Sequence, residues 1–286
     1  MPKLPYQLVL PKAFTCPVVV ASPHSGRAYE QEFMASTILD SDRIRSSEDA
    51  FVDLLLDRVP TLGAPLLTAE MPRAYIDLNR AEEELDPAVV QGVPRGATNP
   101  RVSSGLGVIP RVVAQGRAIY HGKISRAEAQ QRIATVWRPY HTKLEAMLAG
   151  QQARFGRAIL LDCHSMPHEA IETVGAAGQS PEIVLGDRFG ASSSLALVEG
   201  LEAVFRNLGF RVARNTPFAG AYTTQHYGRP SQGRHAIQIE IDRSLYMDET
   251  RVQPTAQFDT IRNLMSEAMR QFFDSVAPQS TDVAAE

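Results

Sequence analysis

Cysteine is scarce in this 286-residue chain: Cys16 and Cys163 are the only two, and neither belongs to a C-x-x-C pair. That argues against a disulfide framework and against a cysteine-built zinc finger. Long hydrophobic runs are missing as well. No stretch approaches the ~18 apolar residues of a membrane span, and the opening Met1-Pro-Lys-Leu-Pro-Tyr6 has neither the basic start nor the apolar core of a signal peptide. The expectation is a soluble, cytoplasmic protein with no membrane partner. Strong charge of one sign is also absent. A formal net charge of -3 and a pI near 6.2 leave no electrostatic footprint for nucleic acid. Nor is there a Gly-x-Ser-x-Gly elbow, a phosphate loop or a dinucleotide fingerprint, and Ser192-Ser-Ser194 reads as a helix cap instead of a nucleophile.

What is present is a chain 44% hydrophobic, enough to bury the core of one domain over 1–286, with no internal repeat or linker to divide it. Strand-like runs begin at Val18, Ala64, Ala158, Glu182, Phe210 and His235; helical patterns begin at Ser46, Ser125, Ser192 and Thr255. This alternation predicts an α/β fold of three layers, with a mixed sheet because some connections are too short for crossovers. Ser125 and Glu128 form a capping box, and Pro139 is placed to kink the helix that follows. Trp137 and His141 on that helix read as packing residues. In Arg73–Arg80, Ala74, Ile76 and Leu78 alternate with polar residues, the pattern of a sheet-edge strand lining a cleft. Residues 81–123 read as an irregular surface excursion or a lid, residues 215–230 as a ligand-recognising loop, and residues 277–286 as a loose tail.

Two strand-like runs end on a histidine. Val18-Val-Val-Ala-Ser-Pro23-His24-Ser-Gly26 does so inside a turn whose glycine permits close backbone approach to a ligand, and Ala158-Ile-Leu-Leu-Asp-Cys-His164 does so before Pro167. Ligands of open α/β sheets sit at such strand ends. Catalytic zinc takes three protein ligands and leaves a position for water. His24, His164 and a carboxylate from Glu48-Asp49, at a helix start capped by serine, satisfy that count.

Six segments in order are similar to the N-formylglutamate amidohydrolase family: Pro23-His-Ser-Gly26, Ser47-Glu-Asp-Ala-Phe-Val-Asp53, Arg73-Ala-Tyr-Ile-Asp-Leu-Asn-Arg80, Asp162-Cys-His164, Gly220-Ala-Tyr-Thr-Thr-Gln-His-Tyr-Gly-Arg-Pro230 and Gln238-Ile-Glu-Ile-Asp-Arg-Ser-Leu-Tyr-Met247. The resemblance implies a zinc-carboxypeptidase-like sheet of about eight strands between helices. It implies one Zn2+ per chain on His24, Asp49 and His164, with Glu48 the reserve for the acid, since Arg27 stands where carboxypeptidases place theirs. It puts Glu240 in the place of the general base and Asn79 and Arg80 in the place of residues that hold a substrate carboxylate. Arg73, Arg229 and Arg243 are further cations for a small anionic N-acyl amino acid, the first two favoured, and Tyr222 and His226 are expected to position it. The implied reaction is hydrolysis of N-formyl-L-glutamate to formate and L-glutamate in histidine degradation. The alternatives are a zinc hydrolase of another N-acyl amino acid or small acidic peptide, and a non-catalytic metal-binding or regulatory homologue.

Overall fold

The protein is described by a computed structural model covering residues 4–94, 99–174 and 179–278. Its centre is a seven-stranded mixed sheet. The strands are β1 (Tyr6–Val9), β2 (Val18–Ser22), β3 (Leu66–Ala69), β4 (Ala158–Met166), β5 (Ile183–Gly186), β6 (Val212–Arg214) and β7 (Arg234–Asp242), in spatial order β1-β3-β2-β4-β7-β5-β6. From β3 through β2 and β4 to β7 every pairing is parallel; β1 joins β3 and β5 joins β7 antiparallel. Parallel central strands covered on both faces must be apolar on both. Accordingly β2 and β4 are buried at every position.

The two faces are filled by different helices. Leu195–Asn207 and Phe258–Val276 bury Leu201, Phe205, Met265 and Phe272 against Leu161, Cys163, Ile237 and Ile239. Arg138–Phe155 buries Tyr140, Leu144 and Leu148 against Val19, Ala21 and Leu160 on the other face. Each Leu, Ile, Val, Phe or Met side chain so buried contributes about 1.5–3 kcal/mol by leaving water. Among the described residues no helix is long and apolar enough to cross a membrane.

Several local expectations are corrected. The seven strands found among the described residues agree with the about eight that the resemblance implies; Arg73–Arg80, however, folds as turns instead of an edge strand, because Asp77 bonds its own chain at Asn79 N and its backbone N–H goes to Val108 O, so no ladder forms. The helix expected from Ser46 is broken into a 3-10 turn, Ile44–Ser47, and a short helix, Val52–Leu55, since Asp49 N bonds to His24 O instead of continuing a helical ladder. Gly26 serves a close approach to protein, not ligand: a Cβ there would lie 2.1 Å from Met71 O. The loop at 215–230 contains a helix, Tyr222–Tyr227. Ser125 does cap the helix Arg126–Arg132, and a π-helical turn, Ile133–Trp137, lies just ahead of Pro139, which has no N–H to give to the ladder. Of the expected tail, residues 279–286 lie outside the described residues.

Trp137 and His141 do more than pack. Trp137 Nε1 donates to Arg80 O at 2.9 Å, and His141 Nε2 lies 2.9 Å from Leu78 O, so the helix grips the chain on both sides of Asn79. A carbonyl only accepts, so Nε2 carries the proton and Nδ1 accepts from Tyr227 OH at 2.8 Å. Burial, partly offset by the Leu78 bond, pushes His141 down from 6.5 to about 3. The unfolded chain therefore binds a proton near pH 6.5 that the native chain refuses, and stability falls as pH drops from there toward 3. In urea titrations between about pH 6 and about pH 4, His141→Gln is expected to lose stability less steeply than the parent, by up to ~1.4 kcal/mol per pH unit. Equal slopes would show that His141 is charged in the native state.

Candidate metal centre

The parallel register sets the site. β4 and β7 run side by side with His164 opposite Glu240 and Asp162 opposite Gln238, so these four side chains share one face at the carboxyl end of the sheet. On the neighbouring strand, β2 ends at Ser22 and the turn that follows delivers His24. Asp49 is set by the bond from its N–H to His24 O at 3.0 Å, and the chain then turns sharply through Phe51, held at φ 65.

Three donor atoms meet. His164 Nδ1 lies 3.1 Å from His24 Nδ1 and 2.9 Å from Asp49 Oδ2, and His24 Nδ1 lies 3.4 Å from the same oxygen. All three residues are buried. Atoms bound to one tetrahedral ion at ~2.0–2.1 Å would stand ~3.3 Å apart, close to this triangle. The far nitrogen of His24 explains why its near one can be free: Nε2 lies 2.7 Å from Asp77 Oδ1, and a proton held there leaves Nδ1 a lone pair. His164 Nε2 lies 3.1 Å from Asp162 Oδ2 without a hydrogen bond to it, both Asp162 oxygens being without a hydrogen-bond partner among the described residues, and 3.3 Å from Asn79 Nδ2. Two imidazole nitrogens and a carboxylate oxygen at such separations in a buried site need a cation among them, protons in the metal-free site or a metal in their place, and the donor set of two nitrogens and one oxygen fits a divalent metal. Glu48 turns away, its carboxylate taken by Tyr29 OH and by Arg45 Nε and Nη2.

The electrostatics follow from burial and pairing. Burial disfavours charge on Asp49, but hydrogen bonds from His164 and His24 and their charge hold it well below the usual carboxylate range; Arg243 Nη2 adds a bond to its Oδ1 at 3.0 Å. Asp77 is likewise held low against its burial, by Arg73, His24 and Arg80. His164 is pushed well above 6.5 because Asp162 and Asp49 outweigh its burial. Glu240 goes the other way: burial first, then Asp49, raise it to about 7 against the pull of His164, Arg73 and Arg243. Its Oε1 accepts from Gln238 Nε2 at 2.7 Å. Cys163, adjacent to His164 in sequence, points into the apolar core on the opposite face, and burial pushes its thiol well above 9.0.

The centre opens into a cavity of about 570 Å³ lined by His24, Asp49, His164, Glu240, Arg73, Asn79, Arg80, Arg101 and Arg243 together with Pro110 and residues 112–116 and 217–221. The excursion thus forms part of the wall. Of the expected site residues, the structure brings His24, Asp49, His164, Glu240, Arg73, Asn79 and Arg80 to this cavity. It places the other three elsewhere. Tyr222 packs on Trp137 and His141, His226 stacks on Tyr222, and Arg229 Nη1 bonds the carbonyls of Gln225 and Gly228. Asn79 Oδ1 accepts from Thr223 N and Oγ1 at 2.8 Å each, which turns its Nδ2 toward His164 and Gln238. Asp77, Asp162 and Gln238 are site residues that the sequence reading passed over. The last two stand two positions before a singled-out residue on the same strand, so period-two alternation is the signal that marks them.

If Asp77 orients His24, Asp77→Asn lowers divalent-metal affinity ~10–100-fold in chelator competition while leaving the circular dichroism of the fold unchanged. Unaltered affinity would remove that role.

Residues 16–247 match the N-formylglutamate amidohydrolase family. The chain is 32% identical over 237 residues to N-formylglutamate deformylase of Pseudomonas aeruginosa, covering 82% of this chain and 83% of the relative. It is 30% identical, with the same coverage, to N-formylglutamate deformylase of Pseudomonas putida. The crystal structure of N-formylglutamate amidohydrolase from Ralstonia eutropha JMP134 superposes with a TM-score of 0.89 at 36% identity, covering 96% of this chain and 99% of that one. Carried by a match across most of its length and by the same fold throughout, this chain belongs to the N-formylglutamate amidohydrolase family.

Proposed function

We propose that this protein is a cytoplasmic, zinc-dependent deformylase that hydrolyses N-formyl-L-glutamate to formate and L-glutamate, a step of histidine degradation. The observation that carries the reading is the triangle of His24 Nδ1, His164 Nδ1 and Asp49 Oδ2 beside a carboxylate of raised pKa. The names of the relatives point to the same amide. When bound, one zinc ion at His24, Asp49 and His164 would polarise the formyl oxygen and make hydroxide available near neutral pH.

The chain's own residues do the rest. Glu240 Oε1 is fixed by Gln238, which leaves Oε2 to accept a proton from water and return it to the leaving nitrogen. A pKa near 7 suits both halves of that transfer, since the group must take and then give the proton at neutral pH. Arg80 is buried at the cavity wall, and its Nε and Nη1 are spent on Leu106 O and Asn79 O, which leaves Nη2 without a hydrogen-bond partner among the described residues. In this reading it takes a substrate carboxylate. Arg73, paired to Asp77 at 3.0 Å, contributes charge from the wall. Tyr222, His226 and Arg229 act indirectly, by shaping the helix whose Thr223 holds Asn79.

A second reading within the same chemistry is hydrolysis of a larger N-acyl amino acid, favoured by a cavity of about 570 Å³ that lies in the range for drug-sized ligands. Assaying zinc-loaded protein for acid release from N-formyl, N-acetyl and N-succinyl glutamate and aspartate separates the readings. Glu240→Gln should cut turnover by ~10²–10⁴ while zinc content stays near one per chain by elemental analysis; retained activity would sink the assignment of the base. Arg80→Ala should raise KM by ~10-fold or more, the loss of a charge-assisted bond. A rise no larger than that of the exposed control Arg154→Ala would remove Arg80 from the substrate.

A further inference from the structure

Four arginines line the cavity, and the structure treats them in two ways. Arg73 and Arg243 are neutralised where they stand, by Asp77 at 3.0 Å and by Asp49 at 3.0 Å. Arg80 and Arg101 have no carboxylate partner among the described residues. Arg80 hydrogen-bonds only carbonyls, and its charge is offset only through space, chiefly by Asp77, which Arg73 and His24 already contact, so the buried guanidinium has room for an anion of its own. Arg101, exposed on the same wall, adds a second cation to the cavity.

Their mutual placement is fixed by one residue. Leu106 O accepts from Arg80 Nε at 2.8 Å, and Leu106 N donates to Arg101 O at 2.9 Å, so Leu106 ties the two arginine-bearing segments together. The turn that carries Arg101 is held independently. Asn99 Oδ1 accepts from Arg101 N at 3.0 Å, Asn99 Nδ2 donates to Glu84 Oε2 at 3.0 Å, and Arg111 bonds both Asp86 and Ser103 O. Arg101 is thus an exposed side chain on an anchored backbone at the cavity wall, at little further entropic cost to the chain on binding.

We propose that Arg80 and Arg101 form a two-carboxylate clamp that selects dicarboxylic N-acyl amino acids, with Arg80 on the α-carboxylate and Arg101 on the side-chain carboxylate. The assignment follows from chemistry and depth. The α-carboxylate sits one carbon from the scissile nitrogen and must lie near the metal centre. Arg80 is the buried arginine, and its neighbour Asn79 touches His164. The side-chain carboxylate reaches two methylenes farther and meets the exposed Arg101. Arg101 thereby separates glutamate from uncharged amino acids, a distinction that Arg80 alone cannot make. This clamp rests on the deformylase reading of the site, and it is a statement about specificity within that reading.

The test compares zinc-loaded parent, Arg101→Ala and Arg101→Lys on N-formyl-L-glutamate and N-formyl-L-glutamine, whose side chains differ in charge and little in shape. The parent should prefer the glutamate compound, and in Arg101→Ala the ratio of the two kcat/KM values should fall about 10–100-fold, the worth of one charge-assisted pair. Arg101→Lys should restore part of the ratio. A ratio that shifts less than about twofold in Arg101→Ala overturns the clamp, as does an equal loss on both substrates. In parallel, calorimetry measures binding of L-glutamate against L-glutamine. If the parent releases formate from neither compound the deformylase reading fails, yet the clamp still requires that glutamate bind more tightly and that Arg101→Ala erase the difference. Absence of that difference in the parent would overturn the clamp on its own.

Discussion

Two imidazole nitrogens and one carboxylate oxygen held within 3.4 Å of one another, out of water, form the constraint on which the rest of this structure turns. Such an arrangement holds with protons or a metal ion among its atoms, and the surrounding chain fixes each member in place. Asp77 holds the outer nitrogen of His24, Arg243 holds the outer oxygen of Asp49, and His24 O fixes the backbone of Asp49 itself. The three residues could together hold a metal ion.

The supports reach well beyond the centre. The helix Arg138–Phe155 and the π-helical turn before it grip Leu78 and Arg80 through His141 and Trp137, and the helix Tyr222–Tyr227 grips Asn79 through Thr223. The segment between those grips is irregular, yet it is fixed as firmly as a strand because its polar groups are answered one by one. Arg80 shows the consequence. Its backbone and two of its nitrogens are committed to protein, so the remaining nitrogen is presented without freedom to turn aside. Pre-ordering of this kind lets a small anion bind without ordering the chain afterwards. The raised pKa of Glu240 belongs to the same economy of placement, since burial beside Asp49 keeps it poised between its two protonation states.

Much of the architecture was legible in the order of residues. Ile237, Ile239 and Ile241 announce β7 and turn Gln238 and Glu240 to the other face; the apolar run at Ala158 announces β4 and carries His164 to its end. The capping serine at Ser125 was readable for the same reason, because its partner lies three residues away. Arg73–Arg80 was misread as a strand because alternation registers only which residues face apart, and turns stitched by Asp77 alternate as well. The helix expected at Ser46 had its cap and its acids in place, but Asp49 was needed at His24 O and the ladder broke there.

The amino-acid sequence by itself determined the strands, the helices and the residue types able to bind a metal and move a proton, since periodicity and side-chain chemistry are local properties. Which of them meet was decided by the tertiary structure alone. Only the parallel register of β4 on β7 sets His164 beside Glu240, only packing of distant segments turns Asp49 inward and Glu48 outward, and only the Leu106 backbone sets Arg101 beside Arg80. Those contacts span up to more than a hundred residues of chain, and no local pattern encodes a distance between groups that folding has yet to bring together.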